Sequence, residues 1–341
     1  MMLLSIIVPC YNEEETIPLF IEAVEKALKD QPIKWEYLFI DDGSKDQTLT
    51  VLKEVCQKKP DQCHYVAFSR NFGKEAALYA GLQGAKGDLV TVMDADLQDP
   101  PELLPEMLAL MEAKKLDCVG TRRKNRVGEP LIRSFFARLF YRLMNRFSET
   151  QMVDGARDFR LMSRKMVDAV LEITEYNRFS KGIFSWVGFE TEYLSYENRE
   201  RIAGQTSWSF WSLLKYSFDG IVNFSEVPLM LASLIGAVSC IGAGMALVFI
   251  IVRALLFGDP TSGWPSMVSI FLFVGGLQLL CLGIIGKYIG KIFLETKHRP
   301  HYLVKESSQC EQLSEKEKLG AGKSPESSNS KERLKNSNSQ G

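Results

Sequence analysis

The chain has 341 residues, room for one large α/β domain with a further unit or for two ordinary domains. Its 41 basic and 42 acidic residues leave a formal net charge of −1, which argues against nucleic acid or another polyanion as partner. Seven scattered cysteines with no CxxC pair, and only three histidines, offer neither a disulfide framework nor zinc-site spacing, and fit a reducing compartment.

The opening run LLSIIVP is short, apolar and β-branched, and with no basic flank it reads as a strand and not as a leader. From Glu14 to Leu28, the apolar positions Ile17, Phe20, Ile21, Val24 and Leu28 recur at helical spacing. Strands are then expected at 37–40, 65–68, 88–93 and 117–121, with helices around 48–58, 74–85 and 101–113 between them. Such alternation predicts an α/β fold with a mostly parallel sheet covered by helices. Ligands of these sheets bind at the carboxyl ends of the strands.

Polar clusters stand at those ends: PCYNEEE, DDGSKDQT, SRNFGKEAA, DADLQD and GTRRKNR. Turn and helix-capping chemistry accounts for Ser44, Asp46 and Asp99. It accounts less well for Asp41, Asp94 and Asp96, because apolar runs lead straight into them and an acid at a buried strand's lip is costly without a positive partner. A hard divalent cation, Mg²⁺ or Mn²⁺, is the economical partner, held by one or two carboxylates plus substrate phosphates. No GxGxxG occurs, and GAGKS at 320–324 has Glu317 where a P-loop needs its first Gly.

Further on, LIRSFFARLFYRLMNRF (131–147) sets Arg138, Arg142 and Arg146 along one helical face, with Phe and Leu residues on the other. It reads as an amphipathic helix lying in lipid headgroups, and SWSFWSLLKYSF, with Trp208 and Trp211, is a second candidate; packing on the sheet is the alternative for both. Arg122, Arg123 and Arg126 either line the path of a lipid phosphate or form a solvated basic loop. Leu231–Val252 and Ser266–Gly286 hold no charge over 22 and 21 residues, long enough for two membrane spans. Lys287, Lys291, Lys297 and Arg299 follow the second span, so the positive-inside rule puts both ends in the cytoplasm. Gly236, Gly242 and Gly244, or Gly275 and Gly276, would permit close packing of copies as a homo-oligomer. Residues 305–341, rich in Ser, Lys, Glu and Asn, read as a disordered tail.

The segments IIVPCYNEEETI, FIDDGSKDQT, RNFGKEAAL, DADLQDPPE, GARDFRLMSRK and RIAGQTSWS, in this order and followed by two spans, resemble the polyprenyl-phosphate glycosyltransferases of glycosyltransferase family 2. That group includes dolichol-phosphate mannose synthases and bactoprenol glucosyltransferases, and the resemblance runs over about residues 3–300. It implies a GT-A fold over residues 1–225, a nucleotide-sugar donor, a divalent metal and inversion at the anomeric carbon. Residue by residue, it implies that Pro9, Tyr11, Glu13 and Asp41 contact the nucleotide. Asp94 and Asp96 resemble the metal and diphosphate pair with Gln98 as helper, Asp158 the position proposed as catalytic base, and Arg201 the arginine that reaches the diphosphate. One departure is Arg157, where many relatives have Gly.

The expected reaction moves a hexose, with UDP-glucose the favoured donor, to polyprenyl phosphate, with undecaprenyl phosphate the favoured acceptor, for cell-envelope glycosylation at a bacterial inner membrane. GDP-mannose or UDP-N-acetylglucosamine is the alternative donor. A phosphate monoester has a second pKa of about 6, so little proton abstraction is needed, and Asp158 is expected to position more than to act as a base. A processive polysaccharide synthase is disfavoured by the missing Gln-x-x-Arg-Trp motif and by only two spans. A non-catalytic sugar-nucleotide-binding subunit is disfavoured by intact Asp94, Asp96, Asp158 and Arg201.

Overall fold

A computed structural model describes residues 2–123, 153, 155–197, 227–257 and 263–308. The helices expected at 131–147 and 207–222, Arg126, Arg201 and the chain beyond 308 lie outside the described residues.

β1 (Leu3–Cys10), β2 (Lys34–Asp41), β3 (Cys63–Phe68) and β4 (Leu89–Val92) form the parallel centre of one sheet, with β1 between β2 and β4. β5 (Cys118–Arg123), β6 (Ala156–Ser163) and β7 (Thr191–Tyr196) extend it beyond β4, and β8 (Val304–Ser307) closes the other edge beside β3. Only β6 and β8 run against the rest, so β1 to β5 and β7 all end on one side of the sheet. β1 is apolar apart from Ser5, whose buried hydroxyl donates to Glu36, because both its faces are covered: Leu4, Ile6 and Val8 enter one core and Ile7 the other.

α1 (Thr16–Leu28), α2 (Thr48–Lys58) and α4 (Leu104–Lys114, after a 3₁₀ turn at Pro101–Leu103) cover the first face. α1 buries the stripe read from the sequence, Ile17, Phe20, Ile21, Val24 and Leu28. α3 (Lys74–Gly84), α5 (Arg164–Glu172) and α6 (Ser180–Trp186) cover the second. α3 is rich in Ala and Gly for a steric reason. A Cβ on Gly81 would lie 2.2 Å from Cγ2 of Ile7, so only glycine lets this helix lie so close to β1.

α7 (Val227–Phe257) and α8 (Trp264–Thr296) pack on each other, with Ala232 buried and the Cys281 thiol donating to the Ala232 carbonyl at 3.5 Å. They enclose both expected spans. Among the described residues one stretch of 24 residues, Phe273–Thr296, is long and apolar enough to cross a membrane, with an 18-residue window of mean hydropathy 1.6, and Leu229–Met245 is a shorter apolar run.

Near the end of α8 the chain is fastened to the α/β unit. The Glu295 carboxylate accepts from the Tyr176 and Asn177 amides at 2.9 and 3.1 Å. Tyr302 stacks on Phe68 at 4.8 Å and donates to Gln83 at 2.8 Å. Residues 305–307, expected to open a disordered tail, lie instead in β8: Val304, Glu306 and Ser307 pair with β3, and Glu306 meets Lys53 at 2.8 Å. An open strand edge supplies the backbone partners that composition does not reveal.

Candidate active site

The shared carboxyl edge gathers the polar loops. After β1, Tyr11 is exposed and Asn12 turns with φ 56°. The Asn12 and Glu13 amides donate to Ser44 Oγ and Thr48 Oγ1 at 2.9 and 2.8 Å, and the Glu13 carboxylate takes the Thr16 hydroxyl at 2.6 Å. Pro9 stands opposite Ile40 near the ends of β1 and β2. Asp41 is 2 % exposed and accepts the Ser44 amide at 3.0 Å, so its carboxylate shapes the turn that follows β2. The Asp46 carboxylate takes the Thr48 amide at 3.0 Å, a turn contact one residue ahead of Gln47, the N-cap of α2. Burial, and then the carboxylates of Glu13, Asp41, Asp94 and Asp46 around it, push the Cys10 thiol well up, so it stays protonated among these acids.

Asp42, which sequence reasoning passed over, holds the next loop. Its carboxylate accepts the Phe72 amide at 2.6 Å and the Gly73 amide at 2.9 Å. Burial raises it to about 6 despite those bonds. Gly43 (φ +68°) completes the lock, because a Cβ there would sit 2.4 Å from the Arg70 carbonyl carbon. The two interlocked turns present Lys74, the first residue of α3, to the end of β4.

There the acids meet. Val92 stands opposite Arg160 in the antiparallel β4–β6 pair, so the chain running on to Asp94 passes Asp158 at the start of β6. Lys74 Nζ lies 2.7 and 2.8 Å from the two oxygens of Asp94 and 2.8 Å from Asp158 Oδ2. Burial pulls the Lys74 ammonium down, but Asp158 and Asp94 outweigh it and raise the group above the ordinary lysine value. Burial likewise pushes Asp158 up, and Lys74, Lys181 and Arg157 outweigh it and hold the carboxyl well below the usual range. Lys74 is thus a site residue that carries no metal or nucleotide signature in sequence.

Asp96 is 5 % exposed and accepts the Gln98 amide at 3.1 Å across a turn in which Leu97 takes φ 56°. Gln98 Oε1 receives Arg123 Nη2 at 3.0 Å, whereas Arg122 Nε turns to Ser195 Oγ at 2.8 Å. The two arginines foreseen for one phosphate path therefore point to different partners, as neighbours on a strand face opposite ways. Asp99 is more than a turn residue: 1 % exposed, it accepts from Arg157 Nε at 3.0 Å and from the Tyr196 hydroxyl. Burial and the Asp99 charge push Tyr196 up to about 12. Arg157 is the cation that makes buried Asp99 tolerable, and two residues earlier Gly155 takes φ +79°. Arg160 is buried over the Phe184 ring at 3.9 Å. Among the described residues no group of three or more His, Cys, Asp or Glu forms a metal cage.

Residues 5–171 match the model of the family described as "Glycosyl transferase family 2". A "Putative glycosyltransferase CsbB" from Bacillus subtilis is 43% identical over 306 residues, covering 90% of this chain and 92% of that protein. The chain belongs to glycosyl transferase family 2. This family 2 glycosyltransferase is also 39% identical to a "Bactoprenol glucosyl transferase" of Shigella phage SfV, over 90% of this chain and 100% of the phage protein. Among solved structures, glucosyl-3-phosphoglycerate synthase from Mycobacterium tuberculosis overlays with a TM-score of 0.42 at 21% identity, covering 65% of this chain and 77% of that one. At that distance the overlay says nothing of function. The membership makes the chain an enzyme, and the carboxyl edge, with Asp94, Asp96, Asp158 and Lys74, is its candidate active site.

Proposed function

We propose that this glycosyltransferase transfers glucose from UDP-glucose to undecaprenyl phosphate, or to a related polyprenyl phosphate, with inversion at the anomeric carbon. A phosphate oxygen of the lipid attacks C1 of the sugar from one face while the bond to the UDP oxygen breaks on the other, so the products are polyprenyl-phosphate glucose and UDP. The observation that carries this reading is the convergence of Asp94, Asp96 and Asp158 at one sheet edge, within a chain that is collinear with relatives named for glucosyl transfer to bactoprenol. Relatives with the same printed activity make glucose the first donor to test, ahead of GDP-mannose and UDP-N-acetylglucosamine.

Asp94 and Asp96 would hold Mg²⁺ or Mn²⁺. Their oxygens suit a hard cation, and such ions are commonly bound by one or two carboxylates plus substrate phosphates, so a three-residue protein cage is not required. Bound there, the ion would supply charge neutralisation for the departing diphosphate. Pro9, Tyr11, Glu13 and Asp41, at the ends of β1 and β2, are our candidates for nucleotide contact, with Gln98 behind the diphosphate and Arg201 as its further cation. The lipid phosphate would approach on the Gln98 side, met by Arg123 and, as a further candidate, Arg126, whereas Arg122 turns to Ser195. The phosphate arrives mostly dianionic at neutral pH, and Asp158, held ionised by Lys74, orients the cations around it instead of taking a proton.

The apolar helices α7 and α8 support attachment to the membrane in which the acceptor lies, with both ends on the basic, cytoplasmic side. On this reading they form a two-span hairpin in a bacterial inner membrane. The test is product analysis: purified full-length protein in detergent, with UDP-glucose, undecaprenyl phosphate and Mg²⁺, should release UDP and yield a lipid whose NMR shows a β-glucosyl phosphate. An α-linked product would reject the single displacement, and free glucose without labelled lipid would reject the acceptor.

A further inference from the structure

Lys74 sits where an isolated helix would not place it. It opens α3, and the helix dipole makes that end unfavourable for a cation. The position is nonetheless enforced: Asp42 fixes the Phe72 and Gly73 amides immediately before it, and Glu75, immediately after it, receives the Ser180 amide at 2.9 Å. Between these anchors the ammonium reaches both oxygens of Asp94 at 2.7 and 2.8 Å and Asp158 Oδ2 at 2.8 Å. An arrangement that served folding alone could satisfy the three protons of the ammonium with acceptors on any element. This one joins the acid expected to meet the metal to the acid expected to face the acceptor.

We infer that Lys74 is a resident counter-cation, which holds Asp94 and Asp158 together in the free enzyme and competes with the divalent ion for Asp94, so that tight metal binding waits for the nucleotide. The inference rests on the reading of Asp94 and Asp96 as the metal pair. A divalent ion bound to Asp94 has a fixed positive charge close by, and two cations so near each other repel unless anions are shared between them. A nucleoside diphosphate brings those anions, so nucleotide and metal bind cooperatively. Without the ammonium, Asp94 and Asp158 face each other with Asp96 nearby, and their repulsion is relieved by the metal itself. Removing Lys74 therefore strengthens metal binding in the absence of nucleotide, the opposite of what loss of a merely structural residue does.

The experiment is Mn²⁺ titration of the detergent-solubilised full chain, followed by the EPR signal of free Mn²⁺, with and without UDP, for wild type, Lys74→Met, Lys74→Gln and Lys74→Arg. Thermal melts select the variants that fold. The wild type is expected to bind Mn²⁺ weakly alone and on the order of tenfold or more tightly with UDP. The Met and Gln variants should bind Mn²⁺ alone on the order of tenfold more tightly than the wild type and lose most of the gain from UDP, while Lys74→Arg, which keeps the charge, should stay close to wild type. Folded Met or Gln variants that bind Mn²⁺ alone no better than wild type would overturn the counter-cation role and leave the metal pair standing. A wild type that takes no Mn²⁺ even with UDP would overturn the metal pair and this inference together.

Discussion

Replacing Asp158 by Asn removes one negative charge and almost no volume. In the native site its Oδ2 lies 2.8 Å from Lys74 Nζ. Burial disfavours the charge, but Lys74 first, then Lys181 and Arg157, hold the carboxyl well below its ordinary range. A carboxylate so weakly basic contributes little to proton abstraction near neutrality, where the phosphate of the proposed lipid acceptor would already be mostly dianionic. What the variant loses is one charge-assisted hydrogen bond of roughly 1.5–3 kcal/mol, while Lys74 keeps Asp94. If that loss falls on the transition state, transfer slows by roughly 10- to 100-fold. The assay is glucosyl transfer to undecaprenyl phosphate at saturating UDP-glucose between about pH 5.5 and 9 for both proteins. The two curves should be parallel, the lower one belonging to Asp158→Asn. An acidic limb in the wild type that vanishes in the variant would refute the positional role and make Asp158 a base. Because the native carboxyl is more acidic than the unfolded one, its stabilising contribution is complete above about pH 4 and is lost as the pH falls below that, so the variant should also flatten the acid limb of a stability curve.

Three other outcomes follow from the same geometry. Arg157→Gly strands the buried Asp99 charge and should cost about 3–5 kcal/mol in chemical or thermal melts; adding Asp99→Asn should restore more than half, and a double variant no more stable than the single would contradict the pairing. Asp42, raised in the folded state to about 6 from 3.8, binds its proton more readily folded than unfolded. Native stability should therefore fall by on the order of 2 kcal/mol as the pH rises from about 4 to about 6, and Asp42→Asn should remove that slope from melts taken across the window. Gly43→Ala forces a left-handed backbone on alanine and a Cβ 2.4 Å from the Arg70 carbonyl carbon. It should cost about 2–4 kcal/mol, seen as a Tm lower by roughly 5–10 °C, and an unchanged Tm would show that the two turns are not locked together.

The central α/β alternation is legible in the sequence because β1, β2 and β4 are buried on both faces and α1 on one stripe, so burial imposes a period on the residues. The acids at the lips are legible for the same reason: an apolar run that ends in Asp41 or Asp94 is conspicuous. β6 escapes, since ARDFRLMS carries Arg157, Asp158 and Arg160 in a strand, and those charges are tolerable only through Asp99, Lys74 and the Phe184 ring, none of them nearby in sequence. Asp42 and Lys74 escape as well. Asp42 meets residues 30 and 31 positions away, Lys74 meets Asp94 at 20, and no local pattern marks either as more than turn or helix-start chemistry. β8 is short and polar in three of its four residues, and only the open edge of β3 makes it a strand.

The most direct test of the account is transfer of radiolabel from donor to lipid. Membranes containing the protein are incubated with undecaprenyl phosphate, Mg²⁺ or Mn²⁺, and labelled UDP-glucose, UDP-N-acetylglucosamine or GDP-mannose in turn, and label is followed into the organic phase. The account predicts label from UDP-glucose alone, abolished by EDTA and by Asp96→Ala. Label that persists through both treatments would contradict the role given to the acid pair, and no labelled lipid from any donor, with metal-dependent UDP binding intact, would contradict the lipid acceptor.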